Sequence, residues 1–148
     1  MILDILARLA SAQAFTDADE VSASSYDCGN PTIKNRIGSG ERLSLVFVIT
    51  TAGAGDGASA TDTTDLTAVE DTAADLSTKT PIIARRVPAA ELVAGAMFEV
   101  PLPSQKPTKR YLGAQVVQGT GDTVSATVYL VPSDHVPSFV AYAKNYTN

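Results

Sequence analysis

The most regular alternation of apolar and polar residues lies between residues 123 and 131. A period of two indicates a strand with one buried face. Residues 110–117 are also apolar, and a Gly-rich stretch at residues 118–122 separates the two segments. This arrangement predicts a β-hairpin at the end of the folded domain. The alternating apolar positions are Val124, Ala126, Val128 and Leu130.

The most apolar segment of the chain, residues 43–50, is nearly continuous and rich in β-branched residues. This composition is typical of a strand that is covered on both faces. Shorter strands are predicted at residues 81–87 and 96–102, each bounded by prolines. About seven or eight short strands between Gly, Pro and Asn loops indicate a β-sandwich or barrel. No convincing amphipathic helix separates them, which disfavours a parallel α/β fold.

The two ends of the chain differ from this pattern. The first residues are apolar, and Ile2, Leu3, Ile5, Leu6 and Leu9 could line one side of a short helix. Such a segment packs either on its own domain or on a neighbour. We therefore expect an N-terminal arm at residues 1–14, a β-sandwich domain at 15–135 and a C-terminal tail at 136–148.

Composition excludes several classes of protein. The single cysteine, Cys28, rules out an internal disulfide, and the single histidine, His135, rules out a His-rich metal site. A net charge of −5 argues against binding of nucleic acid. No apolar run approaches the roughly 20 residues that span a bilayer. Asp4 and Arg8 interrupt the first apolar stretch, so we expect neither a signal peptide nor a membrane partner.

Charge is unevenly distributed along the chain. Residues 1–75 hold 12 acidic and 4 basic residues, whereas residues 76–148 hold 4 acidic and 7 basic ones. Two basic clusters stand out, Arg85 with Arg86, and Lys106 with Lys109 and Arg110. One interpretation makes them solvated strand ends. The other makes them contacts for acidic surfaces of a partner, where charge guides encounter and register.

Candidate chemistry in the sequence is weak. Residues 53–58 match G-x-G-x-x-A, but no helix start follows to bind a pyrophosphate. Asp56, Asp62 and Asp65 offer oxygen ligands for calcium without the spacing of an EF-hand, so a solvated acidic loop is the favoured interpretation. No pattern in the sequence places neighbouring acids such as Glu70 and Asp71 together in a cleft, where they could act as an acid and a base. We interpret His135 as a surface turn residue and Cys28 as buried. We expect neither an enzyme nor a cofactor.

Several short motifs recur in one known family. They include Ile2-Leu3-Asp4, Tyr26-Asp27-Cys28-Gly29, Gly38-Ser39-Gly40-Glu41, Pro88-Ala89-Ala90-Glu91-Leu92 and Lys109-Arg110-Tyr111-Leu112. With this layout the chain resembles the capsid cement (decoration) proteins of short-tailed bacteriophages, of the type first described in a Bordetella phage. The resemblance covers most of the chain.

The resemblance implies an all-β, jelly-roll-like antiparallel β-sandwich with an N-terminal arm. It also implies a homodimer that binds the major capsid protein on the outer capsid surface of the virion, after synthesis in the host bacterial cytoplasm. Exposure then makes the arm and the basic clusters the candidate contacts. These residues are Met1, Ile2, Leu3, Ile5, Leu6, Arg85, Arg86, Lys106, Lys109 and Arg110.

A second interpretation is a ligand- or carbohydrate-binding β-sandwich module of a phage tail or host-recognition component. Such sites usually present exposed aromatic side chains. The chain has no Trp, 5 Tyr and 4 Phe, which weakens this alternative.

Overall fold

Eight strands form the protein in a computed structural model that describes residues 8–16, 20–29, 42–51, 63–104, 107–118 and 123–137. Two 3-10 helices, Ala89–Glu91 and Ser133–His135, follow the fifth and the last strand. The strands are β1 (Arg8–Phe15), β2 (Tyr26–Asp27), β3 (Leu43–Thr51), β4 (Thr63–Asp71), β5 (Thr80–Pro88), β6 (Met97–Pro101), β7 (Tyr111–Val117) and β8 (Val124–Pro132).

The strands build two four-stranded antiparallel sheets. Sheet A has the order β1-β8-β3-β6, and sheet B has the order β2-β7-β4-β5. The strands therefore pair first with last, second with seventh, third with sixth and fourth with fifth. This is one long hairpin whose successive pairs alternate between the two sheets, which is the order of a jelly roll. The prediction of a jelly-roll-like β-sandwich is confirmed.

The predicted hairpin of the last two strands is wrong. β7 lies in sheet B between β2 and β4, whereas β8 lies in sheet A between β1 and β3. Both strands have a buried inner face, and alternation reports that burial without identifying the partner strand. The segment between them therefore crosses from one sheet to the other. Among the strands that the structure describes, only β4 and β5 are both consecutive and paired.

Part of the segment predicted as an N-terminal arm, residues 1–14, belongs to the sandwich. Residues 8–14 belong to β1, an edge strand of sheet A, and Leu9 and Phe15 are buried in the core. These residues form a strand in place of the expected helix, and the pairing of this strand with β8 contains two register shifts. Ala12 has a φ of 46°, in the left-handed region. Because the strand is irregular here, its apolar and polar residues do not alternate with the period of two that would have identified a strand. Residues 1–7 lie outside the described part of the chain.

The main core lies between the sheets, and β3 crosses its centre. Leu45, Phe47 and Ile49 point into this core. Val46 points to the other side of sheet A, where it packs with Val131 and Val136. The prediction that this strand is covered on both faces is confirmed for residues 43–47, whereas Val48 is only partly buried. The alternating burial predicted for β8 is also confirmed.

The protein's own loops cover the outer face of sheet B. Leu76, in the turn between β4 and β5, is fully buried and lies over Gly113 of β7. The backbone N–H of Ser22 donates to the carbonyl of Ala114, and Val21 forms a β-bridge with Gln115. Because Leu76 occupies the space above Gly113, a Cβ at that position would collide with its side chain.

A buried carboxylate organises the turn between β4 and β5. Asp71 accepts hydrogen bonds from the backbone N–H of Thr72 (2.6 Å), Ala73 (3.2 Å) and Thr78 (2.7 Å), and from the Thr78 hydroxyl (2.8 Å). Desolvation by burial acts to raise the pKa of Asp71, but these donors outweigh it and lower the pKa to about 2.

Gly113→Ala should lower the free energy of unfolding by about 1–3 kcal/mol, since the added methyl group overlaps a buried leucine. Chemical denaturation measures this. The double variant Gly113→Ala, Leu76→Ala should lose less than the sum of the two single variants, because alanine at position 76 removes the atoms that collide. Strictly additive losses would contradict the contact.

The Asp71 carboxylate should make stability depend on pH in acid. Its folded pKa of about 2 lies below the ordinary 3.8, so its contribution is complete above pH 3.8 and is lost as the pH falls through 2. The stability difference between the wild type and Asp71→Asn should therefore shrink over this range in denaturation curves. Parallel curves for the wild type and Asp71→Asn would refute the role of Asp71.

Candidate functional site

The structure describes four of the predicted contact residues. Arg85 and Arg86 lie on β5, an edge strand of sheet B, and Lys109 and Arg110 lie directly before β7. The other predicted residues lie outside the described part of the chain. They are Met1, Ile2, Leu3, Ile5, Leu6 and Lys106.

The two basic clusters are not brought together. Arg86 pairs in register with Asp65, near the beginning of β4, whereas Tyr111, next to Arg110, pairs with Asp71 at the end of that strand. Asp65 and Asp71 are six residues apart, which corresponds to about 20 Å along a strand. The clusters therefore mark opposite ends of sheet B and do not form one patch.

Arg86 is held by an ion pair within the fold. Its Nε donates to Oδ1 of Asp65 at 2.9 Å and its Nη2 donates to Oδ2 at 3.1 Å. These hydrogen bonds lower the pKa of the Asp65 carboxyl. The Arg86 side chain is nevertheless 70% exposed. A surface ion pair of this kind contributes little to the stability of a fold, so the guanidinium can exchange partners at small cost.

Arg85 has a different role from its neighbour. Its Nη1 donates to the backbone carbonyl of Glu99 at 3.0 Å, and its guanidinium lies 5.3 Å from the centre of the Phe98 ring. Glu99 and Phe98 belong to β6, the edge strand of sheet A. Arg85 therefore bridges the edges of the two sheets, and it acts as a structural residue in the described contacts.

Arg110 forms the second exposed ion pair. Its Nε and Nη2 donate to Oδ1 and Oδ2 of Asp27 at 3.0 and 2.8 Å, and its guanidinium lies 5.2 Å from the Tyr111 ring. The hydrogen bonds from Arg110, with one from the backbone N–H of Gly29, lower the pKa of Asp27. About half of each side chain of the pair is exposed.

A buried glutamate positions the loop that carries Lys109 and Arg110. Glu70 accepts hydrogen bonds from the N–H of Thr108 (2.5 Å), the Thr108 hydroxyl (2.9 Å) and the N–H of Lys109 (3.2 Å). The ammonium of Lys109 donates to the hydroxyl of Thr80 at 2.6 Å. The sequence analysis considered Glu70 and Asp71 only as a catalytic acid–base pair and found no pattern that places them in a cleft. Their position at a strand end, before turn residues, was the available signal for this supporting role.

The remaining candidates carry no assembled chemistry in the described parts. Asp65 is engaged by Arg86, while Asp56 and Asp62 lie outside those parts. No group of three or more His, Cys, Asp or Glu that could hold a metal occurs among the described residues. Cys28 is buried, with its thiol donating to the backbone carbonyl of Tyr26, and His135 is exposed beside Asp134, as predicted. Within the same residues, no helix has the length and apolar character needed to cross a membrane.

Sequence reasoning missed an apolar strip on the outer face of sheet A. Val46 and Val131 are buried there beneath Val136, and Val48, Met97 and Tyr129 are packed against them but only partly buried. The available signal was the continuous apolar run of β3, which places valines on both faces of the sheet. This strip is the second candidate contact surface.

A family model named Bbp16 matches residues 9–129, from β1 into β8. No curated protein matches the chain. The family name suggests a protein of a Bordetella phage. Since the match covers nearly the whole sandwich, the chain belongs to the Bbp16 family.

Proposed function

We propose that this chain is a structural virion protein that binds the outer surface of an icosahedral phage capsid. There it cements adjacent major capsid protein subunits against the internal pressure of packaged DNA. The observation that carries the proposal is the Bbp16 match over residues 9–129, because it covers nearly the whole sandwich and its name suggests a phage protein. The motif resemblance to phage cement proteins supports the same role.

The separation of the basic clusters suits a protein that bridges two subunits. A cement protein must contact both sides of a subunit boundary. Arg86 and Arg110 lie at opposite ends of sheet B, and the sheet holds them about 20 Å apart. Hydrogen bonds to an aspartate already hold each guanidinium in place, so binding does not have to pay the entropy of ordering either side chain.

The ion pairs of these arginines favour exchange with acidic groups of a partner. Both guanidinia already bind a carboxylate in bidentate geometry, and both remain substantially exposed. A carboxylate on the capsid protein would replace Asp65 or Asp27 with little change in the geometry of the arginine. Such contacts guide encounter and register more than they add affinity.

Affinity in this proposal comes from repetition. A protein that binds only the closed shell stabilises it by mass action, and many copies on one lattice add their contributions. A homodimer would join two attachment surfaces and raise their effective concentration. The role requires no bond chemistry and no cofactor.

Co-sedimentation with empty capsid shells tests the proposal. The purified chain should pellet with shells at a saturating, fixed ratio and should raise the temperature at which the shells open. Binding to a glycan array without binding to shells would instead support the ligand-binding alternative and overturn the proposal.

Arg86→Ala and Asp65→Ala should shift attachment in opposite directions. Loss of the arginine removes a contact and weakens binding, whereas loss of the aspartate removes its internal competitor and strengthens binding. We expect changes of about two- to fivefold in Kd, the size of one exposed ion pair. Titration of shells with labelled protein at low ionic strength measures both.

This pair of variants separates binding from stability. Both remove the same internal ion pair, so a purely structural role would move attachment in the same direction in both. Arg42→Ala, which removes an exposed arginine next to β3, is the matched control and should leave Kd unchanged. Equal weakening by the Arg86 and Asp65 variants would contradict a contact at Arg86.

Deletion of residues 1–7 should weaken attachment to shells and leave the thermal unfolding of the sandwich unchanged. The deletion removes the apolar residues of the proposed arm, and β1 begins only at Arg8. Shell occupancy and thermal unfolding are measured on the same preparation. Full occupancy by the shortened chain would exclude the arm as a contact.

A further inference from the structure

The two sheets differ in how their outer faces are covered. Over sheet B, Leu76 is fully buried and Ser22 is 5% exposed, so segments of the same chain close that face. On sheet A, the side chains of Val48, Met97 and Tyr129 are only partly buried. Val48 pairs with Met97 across β3 and β6, so the open part of this strip is continuous.

One described residue already covers part of the strip. Val136, four residues after the end of β8, is 6% exposed and packs on Val46 and Val131. The chain therefore turns back over sheet A after β8 instead of leaving the sandwich. Pro137, the last described residue, follows directly.

Hydrogen bonds between side-chain hydroxyl groups fix the start of the segment that follows β8. The Ser44 hydroxyl donates to Oε1 of Glu99 at 2.6 Å, and the hydroxyls of Ser44 and Ser133 lie 2.7 Å apart. Because a carboxylate accepts only and the Ser44 proton is used, Ser133 must donate to Ser44. The backbone N–H of Ser133 also donates to the carbonyl of Arg42 at 2.8 Å. These contacts fix where the chain enters the strip.

We propose that residues 138–142 of the same chain bind the open part of the strip, over Val48 and Met97. Their sequence is Ser-Phe-Val-Ala-Tyr, with three large apolar side chains. Val48 lies two residues from Val46, about 7 Å along β3. The last described residues, 136 and 137, are helical. Even at the helical rise, five residues advance about 7.5 Å, so the segment that follows Pro137 is long enough. This proposal does not depend on the capsid-binding role.

The test measures the thiol reactivity of Val48→Cys in two chains, the full chain and a chain that ends at Pro137. The only native thiol, Cys28, is 3% exposed and reacts slowly. We expect alkylation at position 48 to be at least about tenfold faster in the shortened chain, since opening of a covered site limits the rate. Equal rates in both chains would overturn the proposal.

Ala84→Cys supplies the matched control. Ala84 is exposed on β5, in the other sheet, so its rate should be the same in both chains. A full-length chain with Phe139→Ser and Val140→Ser repeats the test without truncation and should also speed the reaction of Val48→Cys. If these serines leave the rate unchanged in a folded chain, the proposal is wrong.

Other occupants of the strip give different results. Protection by a second copy would increase with protein concentration in the full chain. Protection by the capsid would appear only when shells are added. Either pattern would overturn the assignment to residues 138–142. Attachment to shells is measured independently by co-sedimentation, so failure of this proposal and failure of the proposed function are distinguishable.

Discussion

Two neighbouring carboxylates at the end of β4 hold the loops around sheet B in place. Successive residues of a strand point to opposite faces, so Glu70 and Asp71 serve different segments. Glu70 takes the donors of the loop before β7, and Asp71 takes those of the turn before β5. A buried carboxylate needs such donors, because burial without hydrogen bonds would favour its neutral form. The positions of Leu76, Lys109 and Arg110 all depend on this arrangement.

The rigid sandwich determines what the surface arginines can do. Arg85 closes the edge between β5 and β6, while Arg86 and Arg110 each hold an aspartate and remain exposed. Similar residues in the sequence thus divide into one structural bridge and two exposed ion pairs, which the proposed function uses as exchangeable contacts. Fold membership alone does not assign a function. The family match and the spacing of these contacts together support attachment to a repeating surface.

Local pattern identified the strands better than their partners. Burial of both faces of β3 and the alternation of β8 follow from side-chain composition, and both could be predicted. Pairing of β7 with β4 instead of β8 depends on contacts far apart in the chain, which composition does not record. β1 was hidden by its two register shifts and by Ala12. At the candidate site the exposed cations were visible in the sequence, but their aspartate partners were not.

The nested pairing has a consequence for how the chain folds. β4 and β5 are joined by a short turn, while each further pair outward closes a longer loop, until β1 meets β8 near the two ends. Loop-closure entropy grows with length, so the innermost pair has the lowest cost of formation and the outermost the highest. Folding that advances from the central turn outward completes the first and last strands late. Because most strand pairs join residues far apart in the sequence, we expect this chain to fold slowly, in about milliseconds to seconds.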